Sequence, residues 1–296
     1  MKMIRTTIVA TALLLIASAP ARAASMTLTV MQWNIYVSGH GTDGRMAPAR
    51  QVHWIAAENP DVVSLNEVRA AQAEEYRWRL ESATRMRWSV YFEAAQDDGI
   101  GNAILTHYKM LSHAKHAMQA GGEYGRGAVE ATIDINGTPL HFFSAHLDNG
   151  SAAVRAEEAV ELTEFIASFP EPRVLAGDMN AVPTAPELEP ILATVRDSWI
   201  EAINQNTATA YPDNPPAADT HTMGRRRIDY ILHSADVSTV RADIPDQRDL
   251  TNKDVEVQNR TTDDLGVRPS DHNFMTAVLT LEGMNVASSR VSARHP

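Results

Sequence analysis

A chain of 296 residues with 44% hydrophobic and 21% charged residues has an ordinary soluble composition, with enough apolar material for one large domain or two smaller ones. Its formal net charge of −11 excludes steering toward nucleic acid or anionic membranes by the overall field, although a few local cations can reverse the sign at a site. With no cysteine present, thiolate chemistry and disulfide-linked partners are excluded.

The first 23 residues read as a cleaved secretory signal: Lys2 and Arg5 precede the apolar run from Ile8 to Ala19, and Ala21-Arg22-Ala23 supplies the small residues of a peptidase site. That run is too short for a bilayer span, which needs about 20 residues, and nothing later is long and apolar enough, so no stable membrane insertion is expected. Losing Lys2, Arg5 and Arg22 with the signal takes the charge from −11 to −14. The expected mature protein is a secreted or periplasmic monomer with one domain over residues 24–283 and a tail, 284–296, whose lack of periodicity predicts disorder.

Thr27 to Ile35 alternates like a strand and carries Asn34 near its end; Ser38 to Gly44 follows as a Gly-rich loop. Residues 48–58 form a helix stopping at Asn59-Pro60, and DVVSLNEV is a short apolar strand ending at Glu67. A helix is predicted over 69–86, then strands over 88–92 and 102–106. The turn Asn136-Gly137 joins strands 128–135 and 138–147 into a hairpin that delivers His146. Ser151 caps a helix to about 169, with Ala159, Leu162, Ile166 and Phe169 on its buried face. The strand RVLAGDMN ends in Asp178, with Asn180 two positions on and facing the same way. Residues 186–203 read as mainly helical, 206–222 as a loop, 227–232 and 237–242 as strands, 243–269 as charged and irregular, and a last strand runs from near His272 to Leu281.

Taken singly, each polar residue at a strand end has a bland reading as a turn former, a cap or a satisfied structural histidine. Asp229 is harder to dismiss, because RIDYILHS places a carboxylate inside an apolar strand, where it needs a partner or a cation. Together, Asn34, Glu67, His146, Asp178, Asn180, Asp229, Asp271 and His272 combine hard oxygen donors suited to Mg²⁺ or Mn²⁺ with proton-transfer groups. That mixture suits metal-assisted attack of water on a phosphoester. There is no HExxH, GxSxG or GxxxxGK[ST] segment, and the glycines of GGEYGRGAVE shape a loop that presents Arg126.

The segments QWNI, SLNEV, GNAIL, GRGAVEATI, FFSAHLD, LAGDMN, RIDYIL and PSDHNF resemble, in order, those of the endonuclease/exonuclease/phosphatase superfamily of pancreatic-type deoxyribonuclease, exonuclease III, sphingomyelinases and inositol phosphatases. The resemblance implies an α+β fold, a four-layer α/β/β/α sandwich with two central mixed sheets, and a Mg²⁺ ion with Mn²⁺ as substitute. It implies Glu67 as principal metal ligand, assisted by Asn34 and Asp271. His272 would bond to Asp229 or Asp271 and meet the phosphate or move a proton. Asp178 would orient or deprotonate the attacking water, Asn180 and Asn34 would hold phosphate oxygens with Arg126 approaching, and His146 would stabilise transition-state charge. Two departures, Asn66 for the usual glutamine and Met179 for phenylalanine, remove no chemical group.

The expected substrate is a phosphodiester, in a nucleic acid cleaved by an endonuclease or in a phospholipid head group or small phosphoester. The nuclease reading has one basic stripe, Arg225-Arg226-Arg227. The lipid reading calls for exposed aromatics at the cleft, with Trp33, Tyr36, Tyr124 and Trp199 as candidates and core packing the expected fate of Trp33 and Trp199. A third reading, a binding module, would be marked by loss of Glu67, Asp178, Asp229 or His272, and all four are present.

Overall fold

Residues 25–210, 216–218, 220–224, 226–245, 247 and 267–281 are described in a computed structural model. The apolar runs form β1 (Met26–Asn34), β2 (Val62–Val68), β3 (Ser89–Ala94), β4 (Gly101–Thr106), β5 (Lys109–Ala117), β6 (Gly127–Ile135) and β7 (Thr138–His146). They continue as β8 (Arg173–Asp178), β9 (Arg196–Asp197), β10 (Ala208–Ala210), β11 (Asp229–His233), β12 (Val237–Ile244) and β13 (Met275–Leu281). One sheet has the order β10-β12-β13-β1-β2-β4-β3 and the other β5-β6-β7-β8-β11-β9. Both are mixed: β1–β2 and β7–β8 pair in parallel, while β1–β13 and β8–β11 are antiparallel. The helices are α1 (Pro48–Glu58), α2 (Ala70–Thr84), α3 (Ala152–Ala167), α4 (Glu189–Leu192) and α5 (Ser198–Asn204).

The period of two along each strand builds the layers. Leu28, Val30, Val62 and Ile104 of the first sheet face Ala131, Phe142, Val174, Ala176 and Ile231 of the second. On the outer face of the first sheet, Met31, Trp33, Val63 and Leu65 pack on Val52 and Ile55 of α1 and Tyr76 and Leu80 of α2. Phe143, Ala145, Leu175 and Tyr230 meet Ala159, Leu162 and Ile166 of α3 on the far side of the second. Each fully buried side chain of this size stabilises the fold by roughly 1.5–3 kcal/mol. The result is the expected four-layer sandwich. Ser151 caps α3, its hydroxyl accepting from the Val154 amide at 3.3 Å.

Two local expectations are corrected, and one strand is added to those expected. Lys109–Ala117 is a strand, β5, that the sequence pattern hides: among the described residues it pairs only with β6, and most of its side chains face solvent, as suits a charged edge strand. The expected helix over 186–203 is instead a 3₁₀ turn at Pro186–Leu188, α4, the short β9 and then α5, because Asp197 caps a fresh helix by accepting from the Trp199 amide at 3.0 Å. The expected loop over 206–222 contains β10. The expected signal 1–23, the tail 284–296 and most of the irregular segment 243–269 lie outside the described residues.

Candidate active site

Strand register places the predicted residues in one row across both sheets. Asp178 lies beside His146 in the parallel β7–β8 ladder and opposite Asp229 in the β8–β11 ladder. In the first sheet Asn34 lies beside Asn66, which faces Asn102 on β4. On the inter-sheet face each strand changes character toward this end: Leu28 and Val30 give way to Gln32 and Asn34, and Val174 and Ala176 to Asp178.

Beneath the row runs a buried amide network that sequence reasoning missed. The Gln32 Nε2 donates to Asn66 Oδ1 at 2.6 Å and to Asp229 Oδ1 at 3.2 Å. Asn66 Nδ2 donates to Asn102 Oδ1 at 2.9 Å and to the Ala145 carbonyl at 3.0 Å, while Asn66 Oδ1 also accepts from the Asp178 amide at 3.1 Å. Ser64 and Ser144 meet hydroxyl to hydroxyl at 2.7 Å across the sheets. Gln51 of α1 donates to the carbonyls of Ile35 and Pro269 at 3.0 and 2.7 Å, tying the end of β1 to the segment that carries Asp271 and His272. The available signal was parity: Gln32, Ser64 and Asn66 are polar on the face where apolar residues precede them. A buried polar group is tolerated when it is hydrogen-bonded, and such a network fixes one arrangement of its members.

His272 Nδ1 lies 2.8 Å from Asp229 Oδ2 and its Nε2 4.0 Å from Asp271 Oδ1, so Asp229 is its partner. Burial opposes the imidazolium, but the charges of Asp229 and Asp271 outweigh it and raise the pKa to about 10. Asp178 accepts from Asn34 Nδ2 at 3.0 Å and from the Asn180 amide at 2.9 Å. Burial and the nearby Asp229 push its carboxyl up to about 7, against the lowering effect of His272. The Oδ2 of Asp178 lies 3.5 Å from His146 Nε2 and 3.8 Å from His272 Nε2. A carboxyl titrating near neutrality beside a cationic imidazole can move a proton in either direction.

The residues expected to hold a cation lie around the end of β2. Glu67 occupies a bulge between Asn66 and Val68, with φ 60°. Its Oε1 accepts from Asn34 Nδ2 at 3.1 Å and its Oε2 from the Val37 amide at 2.9 Å. The Asp271 carboxyl is raised first by burial, with His272 countering and the charge of Glu67 adding to the rise. Two mutually repelling carboxylates with an amide oxygen alongside are a fitting donor set for a hard divalent ion. A tighter group, Asp178, Asp229 and His272, has ligand-type atoms within 4.8 Å of one another. In that group His272 Nδ1 is taken up by Asp229, while its Nε2 faces Asp178 and Asp271.

The histidine of β7 is a neutral ring. Burial, followed by the charges of Arg126 and His272, holds the His146 pKa well below its usual value, so the ring is neutral at neutral pH. Asn180 Nδ2 donates to the Leu147 carbonyl at 3.0 Å, which fixes that amide, and also lies 3.0 Å from His146 Nε2. The positive charges at the row are therefore His272 and Arg126. Arg126 is buried, contacts His146 through Nη1 at 3.2 Å, and leaves Nε without a hydrogen-bond partner among the described residues. An under-satisfied buried guanidinium is suited to an arriving anion.

Arg227 of the expected basic stripe is instead fully buried and paired with Asp197 at 2.6 Å, and Arg225 lies outside the described residues. Trp33 and Trp199 are core residues, as expected; Tyr124 is 44% exposed, with the Arg126 guanidinium 5.9 Å from its ring.

Comparison with known proteins identifies the family. The profile of the Endonuclease/Exonuclease/phosphatase family matches residues 31–272. No curated protein matches the sequence. Among solved structures, an endonuclease/exonuclease/phosphatase family protein of Bacteroides thetaiotaomicron superposes with TM-score 0.65 at 17% identity, covering 88% of this chain and 100% of its own. A family protein of Beutenbergia cavernae gives 0.64 at 23% identity, with 88% and 73% covered. A mannosyl-6-phosphatase of Bacteroides thetaiotaomicron gives 0.61 at 17% identity, with 85% and 99% covered. These likenesses show a shared fold, and the profile match over most of the chain shows that it belongs to the Endonuclease/Exonuclease/phosphatase family, whose enzymes hydrolyse phosphoesters.

Proposed function

We propose that the chain is an exported, divalent-metal-dependent phosphodiesterase, with Mg²⁺ as the expected ion, acting as an endonuclease. The observation that carries the reading is the single row in which Asp178 stands within 4 Å of both His146 and His272, with Arg126 and Asn180 alongside. Glu67, Asn34 and Asp271 would hold the ion. Once bound, it would polarise a phosphate oxygen and offset charge growing on it. Asp178 orients the attacking water and takes its proton. Asn34 and Asn180 fix the carboxylate by their bonds to its two oxygens. His272, kept cationic by Asp229, donates to the phosphate, and Arg126 supplies a second positive charge from the side of the second sheet. The export reading rests on the first 23 residues, and the amino terminus of the exported protein should be Ala24.

A second reading, hydrolysis of a lipid head group or small phosphoester, is favoured by the charge of −11 and by the burial of Arg227, which removes part of the basic stripe. A side-by-side panel of plasmid DNA, RNA, sphingomyelin, phosphoinositides and nucleotides with Mg²⁺ separates the two. Nicking of plasmid DNA at a rate above every lipid and nucleotide is the expected result. Turnover of a lipid or nucleotide with intact plasmid transfers the assignment to the second reading.

A further inference from the structure

Immediately after Asn34 the backbone turns the wrong way. Tyr36, Val37 and Ser38 have φ of 51°, 43° and 66°, and Gly39 follows at 105°. Three successive left-handed residues that are not glycine, one of them β-branched, are strained and persist only where the surroundings dictate them. Of the nine such residues with positive φ among those described, five are at the site: these three, Glu67 and Asn180.

The restraints on the turn can be named. A Cβ on Gly39 would lie 3.0 Å from Pro48 Cγ and 3.2 Å from the Tyr76 hydroxyl, so the turn is pressed onto α1 and α2. Ser38 is fully buried and its hydroxyl accepts from Arg69 Nη1 at 3.2 Å. Arg69 is anchored in turn on Asp98, through Nη2 to the carboxylate at 2.7 Å and Nε to the carbonyl at 3.3 Å. His40 Nδ1 reaches the Val37 carbonyl at 2.7 Å.

What the strain achieves is the direction of two amides. Tyr36 donates to Asn34 Oδ1 at 3.1 Å and Val37 to Glu67 Oε2 at 2.9 Å. Both acceptors belong to side chains proposed as cation ligands, and groups that orient ligands govern affinity as strongly as many ligands do.

We propose that the left-handed turn Tyr36–Gly39, braced by Arg69 through Ser38, is a positioning device that presets Asn34 and Glu67 for the divalent ion and thereby sets its affinity. The inference rests on the reading that Glu67 and Asn34 hold that ion. Val37 and Arg69 are positioning residues, acting through Glu67 and through Ser38.

Binding of Mn²⁺ to the mature chain, followed by the paramagnetic signal of the free ion, tests it without any turnover, with the melting temperature of the metal-free protein measured in parallel. Val37→Gly relieves a left-handed β-branched residue, so its melting temperature should hold or rise while its Mn²⁺ dissociation constant rises about tenfold. Arg69→Ala should weaken binding in the same direction, and Glu67→Ala should abolish it. If Val37→Gly and Arg69→Ala both bind within twofold of wild type while Glu67→Ala does not bind, the positioning role is overturned and the ligand assignment stands. If Glu67→Ala binds like wild type, both are overturned.

Discussion

Asp178→Asn is expected to lower kcat for bis-p-nitrophenyl phosphate about 10³-fold at saturating metal, within the range a positioned proton acceptor contributes. The substitution keeps the size of the side chain but cannot accept a proton, and whichever way the new amide turns it offers one oxygen to the two donors that Asp178 satisfies, Asn34 Nδ2 and the Asn180 amide. Stability should move the other way. The Asp178 carboxyl is raised to about 7 from the ordinary 3.8, so between those values the folded chain binds more protons than the unfolded one. Its contribution therefore favours folding below pH 3.8 and declines as the pH rises through 7. Removing the charge is expected to leave the melting temperature at pH 8 unchanged or higher. A kcat within threefold of wild type would remove Asp178 from proton transfer.

His272→Ala should cost both activity and stability. The imidazolium touches Asp229, which is fully buried, and without it the carboxylate keeps Gln32 Nε2 at 3.2 Å as its side-chain donor. Breaking a buried pair by removing one partner costs about 3–5 kcal/mol. The expected fall in kcat is 10²- to 10³-fold, from loss of the cationic donor beside Asp178. The pH dependence follows from the direction of the shift: His272 is raised to about 10 from 6.5, so its stabilisation is complete below pH 6.5 and is lost as the pH climbs through 10. Thermal melts of wild type and variant should differ most at pH 6 and converge at pH 10. An equal gap at both would show that the destabilisation is a packing loss unrelated to the ion pair.

Much of the fold was legible because its strands are apolar and its turns are explicit. The Asn136-Gly137 turn joins β6 and β7 in the expected place, and Ser151 begins α3. The edge strand β5 was not, because period and apolarity are signals of burial, and its outward Lys109, His113 and Lys115 side chains are not buried. Asp197 ended the expected long helix for a local reason that composition hides, a side chain competing for the amide of Trp199.

At the site, Asp178 and Asn180 stood out because a carboxylate and an amide closed an apolar run. Gln32, Asn66 and Asn102 did not, since each lies within a strand and its purpose appears only when the two sheets meet. Asn66, one of the two departures from the family pattern, proves to be the hub joining Gln32, Asn102, the Ala145 carbonyl and the Asp178 amide. Met179, the other, is fully buried in the cluster beside α3, a packing position. The neutrality of His146 was likewise out of reach, because it depends first on the burial of the ring and then on Arg126 coming within 3.2 Å from the neighbouring strand end.

The most direct test is the rate of bis-p-nitrophenyl phosphate hydrolysis by the mature protein with Mg²⁺, after EDTA, and after Mg²⁺ is restored. The site as built predicts hydrolysis with the metal, its loss with the chelator and its full return; equal rates in all three conditions would contradict it.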